Sequence, residues 1–411
     1  MTESLLQKLE AEVGKCISCG FCESVCPTLS PSGYDLWKGA RGRVLVAKEL
    51  AKDLRSGSDG ILHVSDSFYS CLDCYACLYV CPAGVNAGIV SHTSREIIAS
   101  GMLPENENPV AKMIVSTTMK YLNPLGVREK ASKWAEGLNF NDNSPDLLYT
   151  GNMFQLMPYT KSLNSLRNLM GRRMSKFMAG LVGKHPPLIG FISNRRDRDL
   201  DARMSQSLRN IVELLESSGL NVKYLGSNEP YPGTFIYDLG YADQFRIYAE
   251  KVTKILKDSG AKRIITIDPH TFDLLKNTYP KFVRDFDFEV VHYIDLIKDL
   301  DFGKSGEKVT FHEPCHLVLR ECPYNSPMDL LRQTSEVILP ARSGRKTRCC
   351  GGPNELLFPE LSEKISEQRY GELRETGASR VVTACPICFT NLAKDEKTIE
   401  ISDFLIEKLR K

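Results

Sequence analysis

A chain of 411 residues with 42% apolar side chains can form two or three domains with hydrophobic cores, which excludes extensive disorder. Its 53 basic and 51 acidic residues nearly cancel, so net charge points to neither a nucleic-acid partner nor a broadly membrane-seeking protein. The start, MTESLLQKLEAEVGKC, lacks a secretory pattern, and no apolar run approaches about eighteen residues; a soluble cytoplasmic protein is expected, with any place on the inner membrane face reached through a partner.

The fourteen cysteines fall in two groups, eight between Cys16 and Cys81 and six between Cys315 and Cys388. A disulfide framework in a reducing compartment would not leave the middle of the chain empty, so metal ligation is the better reading. The first run is Cys16-Ile-Ser-Cys19-Gly-Phe-Cys22-Glu-Ser-Val-Cys26-Pro27 and the second Cys71-Leu-Asp-Cys74-Tyr-Ala-Cys77-Leu-Tyr-Val-Cys81-Pro82. Three cysteines at two-residue intervals wrap three corners of a cubane [4Fe–4S] cluster, and the fourth, before proline, ligates the other cluster of the pair. That assigns Cys16, Cys19, Cys22 and Cys81 to cluster 1, and Cys71, Cys74, Cys77 and Cys26 to cluster 2. Zinc sites have no use for the third close cysteine. Residues 41–54 between the runs and 89–99 after them have helical spacing, so residues 1–100 read as an α-helical dicluster module. Arg41 and Arg43 read as a solvated helix start.

Residues 101–186 read as a mostly helical linker, bounded by the Asn- and Pro-rich stretch 104–109 and broken at Pro124, Pro145 and Pro158. Its Met and aromatic residues are taken as packing. Beyond it the chain repeats itself: residues 259–272, SGAKRIITIDPHTF, match residues 376–389, TGASRVVTACPICF, at an offset of 117. An offset of 118 pairs Tyr231-Pro232-Gly233 with Cys349-Cys350-Gly351 and sets Asp197 opposite Cys315. The copies are placed at 187–303 and 304–411. Each alternates helix, glycine and apolar strand, with strands expected at 222–225 and 264–267 of the first, so each reads as α/β units on a mainly parallel sheet. Ligands gather at the carboxyl ends of such strands, where Cys315 and Cys385 fall.

Cys315, Cys349, Cys350, Cys385 and Cys388 are more thiolates than tetrahedral zinc accepts, which favours a polynuclear cluster. Zinc with a spare cysteine, or a dithiol pair at Cys385 and Cys388, stays open. Cys322 falls outside the pattern and reads as a small buried residue. His312-Glu313-Pro314-Cys315-His316 satisfies HExxH, but a proline inside the helix that motif requires costs about 3 kcal/mol or more. His312, Glu313 and His316 are left beside the cluster as hydrogen-bonding, proton-donating or structural residues.

The paired CxxCxxCxxxCP runs, followed by a duplicated domain with CysCysGly and CysProxxCys signatures, resemble the iron–sulfur proteins grouped with the D-type subunit of heterodisulfide reductase, the glycolate oxidase iron–sulfur subunit, and those of anaerobic glycerol-3-phosphate dehydrogenase and lactate utilisation. The resemblance implies an α+β multidomain protein: an N-terminal α-helical dicluster ferredoxin domain, then two tandem α/β cysteine-rich (CCG) domains, the first lacking cysteines. It also implies that the five C-terminal cysteines hold a noncubane [4Fe–4S] cluster. In the first copy Asp197, Tyr231, Pro232, Asp268 and Thr271 replace the five, so that copy reads as decayed scaffold. Two functions follow. In one the chain relays electrons from a flavoprotein dehydrogenase, acting on a 2-hydroxy acid or similar donor, to a quinone or other acceptor, with a membrane quinone or cytochrome subunit as a further partner. In the other it is a thiol–disulfide reductase whose C-terminal cluster is the active site. No GxGxxG follows a strand, so organic two-electron chemistry needs a partner.

Overall fold

The computed structural model describes residues 2–57, 64–103, 106–170, 172–192, 195–320 and 324–410; Cys322 and Pro104 lie outside them. The N-terminal module is helical. Thr2–Gly14, Ala40–Ser56 and Ala87–Ile97 pack on one another. Val44, Ala47, Leu50 and Ala51, at helical spacing, form the buried face of Ala40–Ser56. Asn86 starts Ala87–Ile97 by accepting from the Gly88 and Ile89 N–H groups.

Two parallel sheets follow. In the first, β1 (Asp146–Tyr149), β2 (Arg263–Thr266) and β3 (Glu289–His292) lie in that order. In the second, β4 (Lys308–His312), β5 (Glu336–Val337), β6 (Arg380–Thr383) and β7 (Thr398–Glu400) take the order β5-β4-β6-β7. The helices Ala242–Asp258 and Pro359–Arg374 precede β2 and β6 in the two sheets, each separated from its strand by a glycine turn at Gly260 or Gly377. The duplication is thus visible as two copies of one α/β arrangement.

The first copy begins earlier than its sequence suggests. β1 lies inside the stretch expected to be helical linker, and it pairs with β2 along Asp146↔Arg263 to Tyr149↔Thr266. A four-residue apolar run has no period of its own, so only its partner strand decides its state. The expected boundary at residue 187 therefore falls well inside this unit. The helix Met153–Met170 runs through Pro158. It tolerates the lost hydrogen bond because Phe154, Leu156, Met157 and Tyr159 around the proline are buried. The strand expected at 222–225 is reduced to one bridge, Lys223 to Leu147, in the place β5 occupies beside β4.

The dicluster module sits against the first copy through Ala87–Ile97. Arg95 donates to the Asp238 carbonyl at 2.7 Å, and Tyr69 donates to the Leu239 carbonyl at 3.3 Å. Gly240 makes this approach feasible: its φ is +87°, and a Cβ there would stand 2.5 Å from the Arg95 carbonyl carbon. Gly240→Ala is expected to lose about 2–4 kcal/mol, from left-handed backbone strain and overpacking together, read as a lower thermal midpoint by circular dichroism. An unchanged midpoint would mean the contact yields without cost.

Candidate metal centres

The two cysteine loops of the dicluster module share a backbone. Ser18 (φ 57°) and Gly20 (φ 84°) in the first correspond to Asp73 (φ 52°) and Tyr75 (φ 62°) in the second. Such left-handed turns fold a short loop around a central point and aim its N–H groups inward. Ser18 N–H donates to Cys16 Sγ at 3.4 Å and Val85 N–H to Cys81 Sγ at 3.2 Å. The Ala87 and Gly88 N–H groups, at a helix N-terminus, face Cys77. Burial pushes the Cys22 thiol up to about 12, with Glu23 and the sulfurs of Cys26, Cys81 and Cys16 adding to it. Burial likewise raises Cys77, with Cys71 and Cys26 as its sulfur neighbours. Cys81 thus lies beside the first loop and Cys26 beside the second. Four thiols converging in each loop, with Cys22 in the first and Cys77 in the second costly to ionise, is the donor arrangement an iron–sulfur cluster fits, because its iron offsets the charge of the thiolates.

Arg43 is not a solvated helix start. It is 2% exposed and donates to the Ser67 carbonyl at 2.8 Å, to the Thr28 and Ser70 hydroxyls at 3.0 Å, and to Cys26 Sγ at 3.7 Å. Helical spacing marks only the face a residue is on; the cysteine loops wrap over the start of this helix and enclose it. Arg41 keeps a half-exposed ion pair with Glu23.

The C-terminal five converge at the carboxyl ends of β4 and β6, as the parallel-sheet rule requires. Cys315 opens the helix Cys315–Val318 after β4, and Cys385 caps the helix Pro386–Leu392 that carries Cys388 after β6. Cys349 and Cys350 lie on the loop before Gly351, whose φ is +90°. All five are at most 5% exposed. The sulfurs of Cys315 and Cys349 are 3.8 Å apart, and Cys350, Cys388 and a nitrogen of His312 lie within 4.8 Å of one another. Contacts from Cys349 and then Cys388 bring the Cys350 thiol down to about 6. The contact with Cys349, followed by burial, pushes Cys315 up, and burial pushes Cys388 up. Five thiolates here need several cationic centres among them, so the donor set fits a cluster better than a single zinc ion.

His312 is better placed as a donor than as a ligand. Its Nδ1 accepts from Arg369 Nε at 3.2 Å, which puts the ring proton on Nε2, a buried atom with no hydrogen-bond partner among the described residues. Arg369 is itself fixed by Glu372 and the Arg342 carbonyl. Glu313 accepts from the Gly344 N–H at 2.6 Å and shapes the loop toward Cys349. His312 ends a strand while His316 sits in the next helix, so they share no helical face.

The decayed copy departs from the sequence alignment at one position. The registers Asp146↔Arg263 and Val309↔Arg380, with β2 and β6 matched, set Asp146 opposite Val309. Six residues on, Asn152 rather than Asp197 stands where Cys315 does. Asp197 instead caps the helix Arg198–Ser217. Sequence offset fails here because the segment after the first strand differs in length between the copies. Asp268 stands at the N-cap position that Cys385 takes in the other copy but, unlike the cysteine, accepts from the His270 and Thr271 N–H groups, and burial lifts its carboxyl to about 6. Tyr231 fills space with its ring, its hydroxyl accepting from the Phe235 N–H.

Between the copies lies a charged cluster that no motif announces. The His270 and His316 rings stack at 3.9 Å, and Asp273 accepts from Arg320 Nε at 2.8 Å and faces His316 Nδ1 at 3.0 Å. Burial opposes ionisation of Asp273, but Arg320 and His316 outweigh it and hold the carboxyl below its usual range. Arg320 also lies over the Tyr75 ring at 4.3 Å, inside the second cysteine loop. Asn354 donates to the Ser70 carbonyl at 2.7 Å and Arg345 lies over Tyr79 at 5.3 Å. These contacts seat the second loop on the C-terminal copy, and burial with the nearby charge of Cys315 pushes the Cys74 thiol up. Asp273→Ala, which leaves Arg320 buried without its carboxylate, is expected to cost about 3–5 kcal/mol in chemical denaturation of the anaerobic protein. A loss under about 1 kcal/mol would show the cluster to be solvated.

Residues 12–85 match the 4Fe-4S dicluster domain family and residues 309–393 the cysteine-rich domain family. Among curated relatives, the D-type subunit of the dihydromethanophenazine:CoB–CoM heterodisulfide reductase of Methanosarcina barkeri is 22% identical, the alignment covering 99% of this chain and 95% of the relative. A probable glycolate oxidase iron-sulfur subunit of Bacillus subtilis is 22% identical over 97% of this chain and 94% of its own. A probable membrane-anchored ferredoxin of Chromohalobacter salexigens is 24% identical over 91% of this chain, which spans only 55% of that protein's length.

Proposed function

We propose, from the pairing of a 4Fe-4S dicluster domain with a cysteine-rich domain in one chain, that this protein is the electron-relay component of an oxidoreductase. Cys16, Cys19, Cys22 and Cys81 would hold one [4Fe–4S] cluster, Cys71, Cys74, Cys77 and Cys26 a second, and the C-terminal five a third, noncubane one. Bound in these sites, the clusters supply one-electron redox chemistry. The observation that carries the reading is the seating of the second cysteine loop on the C-terminal copy, where Asn354 donates to the Ser70 carbonyl beside Cys71 and Arg320 lies over the Tyr75 ring beside Cys74. At the other end Cys19 is exposed, and Ile17 and Phe21 beside it are 67% and 61% exposed, which suits exchange with another protein. Arg43 donates to Cys26 Sγ, the kind of hydrogen bond that tunes a cluster's potential.

The partner in this reading is a flavoprotein dehydrogenase for a 2-hydroxy acid or similar donor, in keeping with the relative named a glycolate oxidase iron-sulfur subunit, and the acceptor is a quinone or comparable carrier. A second reading makes the C-terminal cluster the active site of a thiol–disulfide reductase. It is favoured by the complete five-cysteine set and by the nearly full-length match to a component of a heterodisulfide reductase. The relay reading is preferred because those five sulfurs are at most 5% exposed, which leaves a disulfide no approach among the described residues.

Anaerobic iron and sulfide analysis with electron paramagnetic resonance, on wild type and on Cys349→Ser/Cys350→Ser, tests both. About twelve irons per chain, falling to about eight in the double variant, is expected. About eight in both, with one zinc in wild type alone, would reduce the chain to a two-cluster relay. A signal that a disulfide oxidant induces in wild type and not in the variant would establish the reductase.

A further inference from the structure

From residue 147 to residue 196 the chain contains no aspartate or glutamate, yet it carries eight lysines and arginines. The rest of the chain then holds 45 basic residues against 51 acidic, so the near-neutral total conceals a cationic segment in an acidic protein. Four of the eight, Arg172, Arg173, Lys176 and Lys184, belong to the helix Arg172–Lys184.

Packing fixes how this helix is turned. It lies along Pro109–Tyr121, with Ala179 and Val182 buried and Gly183 so close that a Cβ would stand 3.4 Å from the Met113 amide nitrogen. Met174, Phe177 and Leu181, at i, i+3 and i+7, therefore face away from the protein and are 52%, 66% and 36% exposed. Lys184 continues that exposed line. A stripe of large apolar side chains would normally turn toward the core, and here the core side is taken by small residues.

An amphipathic helix with aromatic and aliphatic residues on its outer face and only cationic charge belongs to the class that lies in the headgroup layer of a bilayer. No described helix is long and apolar enough to cross a membrane, so the contact is superficial. Protein interfaces are depleted in lysine and usually mix charge signs, whereas a helix whose four charged residues are all cationic suits a surface that is uniformly anionic. We propose that the helix Arg172–Lys184 docks this protein directly on an anionic lipid surface, with Met174, Phe177 and Leu181 inserted among the headgroups. The contact is independent of which clusters the chain binds. It gives the chain its own route to the membrane, where the sequence alone suggested a partner as the only one.

The test is cosedimentation of the full-length, anaerobically reconstituted protein with vesicles of phosphatidylcholine alone or with about one third phosphatidylglycerol, at low salt and at about 0.5 M salt. Binding to the anionic vesicles is expected at low salt, at least about tenfold tighter than to the neutral ones and weakened by salt. Phe177→Asp/Leu181→Asp, both at exposed positions, is expected to weaken it by at least about tenfold with iron content and circular dichroism unchanged. Should the double variant lose iron, Phe177→Ser alone makes the same comparison. Absence of binding to anionic vesicles, or binding that the variants leave intact, would overturn the proposal. So would variants whose only defect is loss of a protein partner, which would make the stripe a protein-docking face.

Discussion

Thiols gathered in close groups, several of them fully buried, are the constraint on which the rest of this structure depends. Burial and neighbouring sulfurs raise Cys22, Cys74, Cys77, Cys315 and Cys388, whereas Cys350 is held at about 6 by the two sulfurs beside it. Ionising a buried thiol is costly unless cations and N–H donors are already in place. The chain supplies the donors from its own backbone and from buried bases. Left-handed turns aim amides at Cys16, Arg43 reaches Cys26, and at the C-terminal site the Gly352 N–H donates to Cys350 Sγ. The scaffold around each cysteine loop is thus an answer to one electrostatic problem, repeated three times.

What was legible in the sequence was what spacing alone encodes. Cysteines at fixed intervals define a loop whose geometry tolerates little variation, so the two CxxCxxCxxxCP loops were readable, and so was the gathering of the C-terminal five at the strand ends. Parallel-sheet topology followed from glycine-terminated helices ahead of apolar runs. Elements that depend on a distant partner were not legible. The run Asp146–Tyr149 is a strand because β2 lies beside it, and Asn152 matches Cys315 only through the pairing of β1 and β4 with their neighbours. Arg43 looked like a surface residue because helical phase says nothing of loops that later cover the helix end.

The outward stripe on Arg172–Lys184 was missed for a different reason. Averaging charge over the chain conceals a local excess, and apolar residues in a helix are ordinarily core. A window count of acids would have found the segment. Only the packing against Pro109–Tyr121 could show which face it buries.

The decayed copy explains why a domain without ligands persists. Its pseudo-site is closed by Tyr231 and Asp268, yet the helix Pro269–Asp273 that would have carried its last cysteine packs on Cys315–Val318, the helix that carries the first cysteine of the complete copy. Asp273 is there the counter-charge for Arg320, and Arg320 in turn rests on Tyr75 between Cys74 and Cys77. Without the first copy, a buried guanidinium beside two cysteine groups would lose the carboxylate it donates to. An isolated buried charge is worth more to break than a surface pair is to make. The first copy thus contributes electrostatics and position: it forms the wall against which the second cysteine loop and the first helix of the complete copy are held.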